Sequence, residues 1–217
     1  MLKEKIEAIN ESIQRVCSEE GLDVDSVNIL AATKTVDVER INLLPSLGIT
    51  LAGENRVKEF VDKKDYVRGI TWHFIGALQT NKAKFVVGNV DLIHSVDRTS
   101  LVDEIERLSE KKNIISDILL EVNVGGEENK SGISQDGFDE LYDYCGEKTH
   151  IRVRGLMSVL PIGAPERMYE RLYEMYAKKK EGDFDTLSVG MSGDYLTAIK
   201  HGANLVRLGS MIFGKRN

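Results

Sequence analysis

Eight short apolar stretches recur along the chain, and each is followed by a segment of helical periodicity or by a turn. They read "VNILAAT", "ITLAG", "ITWHFIG", "VDLIHSV", "ISDILLEVNV", "HIRVRGLMSV", "TLSVGM" and "NLVRLG". Apolar strands alternating with amphipathic helices imply a parallel sheet covered on its outer face, because parallel neighbours need crossover connections. Eight such units favour a closed (β/α)8 barrel over an open, doubly wound sheet. One extra helix precedes them: Leu2, Ile6, Ile9, Ile13 and Val16 form a single stripe at spacings of four and three. No linker rich in Gly, Ser or Pro divides the chain, so one barrel domain over residues 1–217 is expected.

Local signals place several helix ends. Ile41, Leu44 and Leu47 line a helix that should stop at Gly48, and Gly202 should end the helix "SGDYLTAIKH". Asp97 and Ser192 are candidate N-caps, and "TNKAKFVVG" is expected to be helical. "ISDILLEVNV" is the longest strand candidate.

Composition narrows the function. The formal net charge is −6 and the basic residues are spread along the chain, which argues against a nucleic-acid groove or a polybasic membrane patch. The apolar runs fall short of a membrane span, and the charged N-terminus does not resemble a signal peptide, so a cytoplasmic protein is expected. Cys17 and Cys145 are isolated and the four histidines lie far apart, which suggests neither a disulfide framework nor a metal site. A small molecule is the expected ligand.

In a barrel of this kind the active site lies at the C-terminal ends of the strands. Those ends offer Lys34, Glu54 with Asn55, His73, Ser95, Asn123, Met157 with Ser158, Gly190 with Ser192, and Arg207 with Gly209 and Ser210. The last two loops are where such barrels often bind phosphate, through backbone N–H groups and a helix N-terminus. Taken singly, Ser192 reads first as a simple N-cap and the glycines as turn residues, but Ser192, Gly209 and Ser210 together at these two loops favour phosphate. Arg207 lies within an apolar strand, so it needs either a carboxylate partner or an acceptor in a pocket. A lysine sharing a mouth with a phosphate site is placed for Schiff-base chemistry. A phosphorylated sugar or pyridoxal phosphate would satisfy both features.

The motifs "AATKT", "GENRVKEF", "WHFIGALQTNKAK", "IHSVD", "EVNVGGEENKSG", "RGLMSV", "LSVGMSGDYLTAI" and "VRLGSMIFG" occur in an order and spacing that resemble the YggS-like, or PROSC, family of pyridoxal phosphate homeostasis proteins. The resemblance covers nearly the whole chain. It implies a barrel like the N-terminal domain of alanine racemase, with pyridoxal 5'-phosphate (PLP) held as a Schiff base on Lys34. It further implies Asn55 near the cofactor ring, Ser192, Gly209 and Ser210 around the phosphate, and Arg207 beside the pyridine nitrogen. Arg56 stands where many members carry Tyr, and Ser210 where Thr is frequent. His73, Gln79, Asn81 and Lys82 of the third motif fit either a second ligand or a tie for the third loop.

Alanine racemase adds a β-rich domain carrying an opposing acid/base group. None follows "IFG" here, and only Lys34 stands out as a base. The resemblance therefore implies PLP holding for vitamin B6 homeostasis and amino-acid balance without robust turnover. It also implies PLP-dependent apoenzymes as recipients and a monomer or weak dimer. A small PLP-dependent amino-acid racemase, with Tyr195 or His73 as second base, is the competing expectation, and a Schiff-base aldolase a third. Whether Glu54, Glu127 or Glu128 takes part is left open by the sequence.

Overall fold

The computed structural model describes residues 1–127 and 130–214. Eight parallel strands close into a barrel in chain order: β1 (Asn28–Ala32), β2 (Leu51–Glu54), β3 (Thr71–Phe74), β4 (Leu92–Val96), β5 (Ser116–Glu121), β6 (Ile151–Met157), β7 (Thr186–Met191) and β8 (Leu205–Leu208). Pairing of β1 with β8 closes the ring and sets Leu30 opposite Arg207. The extra N-terminal helix is α1 (Leu2–Glu20), which ends at left-handed Gly21. Helices α2 (Val38–Ile41), α3 (Val57–Lys63), α4 (Thr99–Lys112), α5 (Phe138–Gly146), α6 (Glu166–Lys179), α7 (Tyr195–Lys200) and α8 (Ser210–Phe213) surround the sheet.

Strand alternation sorts the side chains. Leu30, Ile75, Leu92, Leu119, Met157 and Leu205 fill the barrel interior. Their chain neighbours, such as Ala31, Ile93, Leu120 and Val206, pack outward against the helices. The stripe on α1 lies on the outer layer with Val206, Leu208, Ile199 and Ile212, across the seam between the last strand and the first. Ile9 is completely buried there, and its truncation to Ala would cost about 2–5 kcal/mol. Cys17 and Cys145 are both buried.

Local chemistry accounts for the departures from the periodic reading. The first crossover is split into α2 and a 3-10 turn over Pro45–Leu47, because proline supplies no N–H and obstructs the preceding helical turn. Gly48 still ends it, at φ 84°. "TNKAKF" forms a 3-10 helix, Thr80–Phe85, whose buried Ala83 precedes buried Val86 by three residues, the spacing of that tighter helix. The longest strand is β6 rather than β5: past Glu121 only Val122 N–H still donates to Met157 O of β6, and Asn123 N–H donates instead to Ile133 O.

Candidate functional site

Beyond β1 the chain makes a tight turn closed by Val36 N–H donating to Thr33 O at 3.0 Å, with half-buried Lys34 inside it. Thr35 takes φ 63°, one of two positive-φ residues other than glycine among the described residues. A β-branched residue there costs about 1–3 kcal/mol and persists only where its surroundings enforce it. The enforcement comes from β2 and α3. Thr35 N–H donates to Glu59 Oε2 at 2.7 Å and Thr33 Oγ1 to Glu54 Oε1 at 2.7 Å. Lys63 Nζ then joins Thr33 O, Glu54 Oε1 and Glu59 Oε2 at 2.9, 2.7 and 3.3 Å.

Glu54 therefore does not face the mouth. It is fully buried between the sheet and α3, where desolvation raises its pKa against the pull of Lys63 and Thr33. For Glu59 burial also pulls upward, but the Thr35 N–H and Lys63 together hold its carboxyl below the ordinary value. The lysine turn is thus fastened from behind by an ion cluster.

Asn55 is one residue beyond β2, and its buried Oδ1 accepts no hydrogen bond among the described residues. Its backbone is packed against Gly76 at the end of the third strand: a Cβ on Gly76 would lie 2.1 Å from Asn55 O. Glycine there lets the two strand ends touch, which is one reason for "HFIG" in the third motif. Arg56 is exposed and pairs loosely with Glu59 at 3.7 Å.

Arg207 is 5% exposed on the interior of β8. Of the two sequence options, acceptors replace a carboxylate: Nη1 donates to Ser188 O at 2.8 Å and Ser188 Oγ at 2.7 Å, and Nη2 to Ser158 O at 2.9 Å. Three of its five hydrogens are thereby used, leaving one on Nη2 and one on Nε. Burial lowers its pKa to about 10, with Glu121 and Asp194 opposing, so it stays charged. Behind Ser188, His94 Nδ1 lies 3.2 Å from Ser188 Oγ, and His94 Nε2 lies 3.0 Å from His73 Nδ1. Alternation puts His94 rather than Ser95 inside the barrel.

Glu121, two residues after interior Leu119, was not singled out by the sequence. Burial raises its carboxyl to about 7, Asp97 adds to the rise and Arg207 opposes it. Between pH 4.5 and about 7 the unfolded chain gives up this proton while the fold keeps it, so this group's effect is to lower stability as pH rises. Glu121→Gln should therefore gain about 2 kcal/mol relative to wild type between pH 5 and pH 8. Melting of both apoproteins at the two pH values checks this; a gap that does not change with pH would refute the assignment.

Ser192 is not the N-cap of α7; that position belongs to Asp194. Asp194 Oδ1 accepts from Met191 N–H at 2.7 Å and Oδ2 from Tyr169 OH at 2.7 Å. Ser192 Oγ instead reaches across to the last loop, accepting from Gly209 N–H at 3.3 Å and Met211 N–H at 3.2 Å. One hydroxyl thus ties the β7 and β8 loops together, with exposed Ser210 between its two donors. Asp97, the other expected cap, binds Arg98 and Gly132 N–H while Arg98 takes the N-cap position.

The other nominees separate. His73 is buried, whereas Gln79, Asn81 and Lys82 are exposed. Tyr195 is 6% exposed in the outer layer beside Ile199, away from Lys34's side of the sheet. His73 lines a cavity of about 510 Å3 with Asn28, Leu51, Leu92 and Asp117, at the ends of the strands remote from Lys34. Glu127 pairs with Lys130 at 3.0 Å, and Glu128 lies outside the described residues. Among the described residues no group of three or more His, Cys, Asp or Glu could hold a metal ion, and no helix is long and apolar enough to cross a membrane.

Comparison with known proteins follows the same lines. Residues 12–217 match the family model described as "Alanine racemase, N-terminal domain". A protein of Aquifex aeolicus named pyridoxal phosphate homeostasis protein is 40% identical, over 98% of this chain and 97% of its own. A crystal structure of an unknown protein from Bifidobacterium adolescentis superposes with TM-score 0.90 at 31% identity, covering 98% of this chain and 94% of that one. PipY of Synechococcus elongatus PCC7942, solved with PLP bound, gives TM-score 0.78 at 27% identity, covering 94% of this chain and 100% of its own.

Proposed function

Because the chain belongs to the alanine racemase N-terminal domain family, and within it to the pyridoxal phosphate homeostasis proteins, we propose that it binds PLP through a covalent bond from Lys34 and holds it without robust turnover. The observation carrying this reading is that Lys34 follows β1, the strand paired with Arg207-bearing β8, while Ser192 bridges the loops after β7 and β8. A lysine, a hydrogen-bonded guanidinium and a hydroxyl-tied pair of loops on neighbouring strands support the reading.

The residues present fit the group. Ser192 Oγ accepts two N–H bonds, so its own hydrogen is left for a phosphate oxygen, and the hydroxyl of Ser210 is open to solvent beside it. Arg207 keeps unused N–H groups for the ring nitrogen, and Asn55 carries an unsatisfied amide oxygen. Bound there, PLP supplies an aldehyde for the lysine amine, with loss of water, and an electron-withdrawing ring. Arginine can only donate, so it leaves the ring nitrogen unprotonated and the ring a weak electron sink; a carboxylate would do the opposite. Neither Tyr195 nor His73 is placed as a second base opposite Lys34, which supports holding over racemisation. A cytoplasmic reservoir that hands PLP to apoenzymes, as a monomer or weak dimer, is the role this suggests.

The test pairs binding with chemistry. The protein is titrated with PLP, reduced with borohydride and mapped by mass spectrometry, and the loaded protein is incubated with a panel of amino acids in D2O. Expected are a borohydride-fixed adduct on Lys34 and no α-proton exchange above background. Exchange that scales with enzyme concentration would overturn the holding role, and an absent adduct the binding reading itself.

A further inference from the structure

The polar groups behind Arg207 form a chain of buried side chains: Ser188 is fully buried, His94 fully buried and His73 7% exposed. Its direction follows from its first member. A guanidinium donates and never accepts, so at 2.7 Å it occupies a lone pair of Ser188 Oγ. The Ser188 hydrogen must then point elsewhere, and the other partner within bonding distance is His94 Nδ1 at 3.2 Å. Nδ1 accepts, so His94 carries its hydrogen on Nε2 and donates to His73 Nδ1 at 3.0 Å. His73 in turn carries its hydrogen on Nε2, at the cavity it lines on the far side of the barrel.

We propose that Ser188, His94 and His73 are positioning residues for Arg207, forming a one-way hydrogen-bond chain that fixes which guanidinium hydrogens are left to face the mouth. The inference rests on the reading that Arg207 meets the ring nitrogen of PLP. With Ser188 O, Ser188 Oγ and Ser158 O all engaged, the guanidinium plane cannot turn without breaking a buried charged hydrogen bond. Both imidazoles suit the task because they stay neutral: burial takes His73 down to about 4, and burial together with His73 and Arg207 holds His94 well below its usual range. A protonated His94 would donate from both nitrogens and reverse the bond to Ser188.

Two measurements decide it. Long-range proton–nitrogen correlation spectra of the 15N-labelled apoprotein should show both His94 and His73 as Nε2–H tautomers from pH 5 to 8; an Nδ1–H on His94 overturns the chain whether or not PLP binds. In the loaded protein, Ser188→Ala and His94→Leu should each weaken PLP binding about 10-fold and shift the absorption band, while His94→Asn, whose Oδ1 replaces the Nδ1 acceptor, should stay near wild type. Circular dichroism confirms that each variant is folded. If Ser188→Ala binds PLP as tightly as wild type with an unchanged band, the chain does not position Arg207, although an adduct on Lys34 would still uphold the binding reading. If wild type forms no adduct, that reading fails and the positioning role with it.

Discussion

Lys34→Ala should give a folded protein that retains no PLP through dialysis, with affinity reduced about 100-fold or more, equivalent to about 2.7 kcal/mol. The substitution removes the amine proposed to form the covalent bond but leaves the Ser192 bridge and Arg207, so weak reversible binding should persist. The fold should persist, because the turn around half-buried Lys34 is held by Thr33, Thr35, Glu54, Glu59 and Lys63, and none of those is altered. A melting temperature within roughly 2–4 °C of wild type is expected. Borohydride treatment followed by dialysis and absorption checks it, and an alanine variant that stays yellow would move the attachment to another lysine. Lys63, in the same network, is a poor substitute because its amine already serves two carboxylates and a carbonyl.

The second large effect falls on a residue with no side chain. A Cβ on Gly76 would sit 2.1 Å from Asn55 O and 2.7 Å from both Asn55 C and Cα, so no rotamer change can relieve the clash. Gly76→Ala should therefore cost about 3 kcal/mol or more, lowering the melting temperature by roughly 6–12 °C. It should also weaken PLP binding by displacing Asn55. Gly146→Ala is the matched control: its Cβ would meet nothing within 4 Å at the end of α5, where alanine is the better helix former. Thermal melts of the two variants side by side test the pair, and equal stabilities would show that the strand ends yield more easily than their packing implies.

The residues that reading the sequence located share one property: their signals are local. Lys34 and Arg207 are charges in apolar strands, and the eight-unit rhythm repeats within windows of a few residues. Glu54's part was left open because the end of a strand names a neighbourhood, while alternation decides the face: Ala52 outside and Gly53 inside set Glu54 outward. Ser192 was legible as a polar residue before a helix, but its partners, Gly209 and Met211, lie 17 and 19 residues away. The chain from Arg207 to His73 was invisible for the same reason. Ser188 and His94 are 94 residues apart, and each alone resembles an ordinary small or buried strand residue. Barrel closure brings them together.

That closure also decides when in folding the mouth can exist. Lys34 follows the first strand and Arg207 lies in the last, and the two strands meet only where β1 pairs with β8. Every contact across this seam spans most of the chain, so it is among the last the loop-closure entropy allows. A chain emerging from the ribosome holds Lys34 long before it holds Arg207 or the loops after β7 and β8. If PLP binds both sides as proposed, it would act as a clasp on the closed ring, stabilising the completed barrel by mass action and slowing its opening. Cofactor uptake would then double as a report that synthesis and folding are finished.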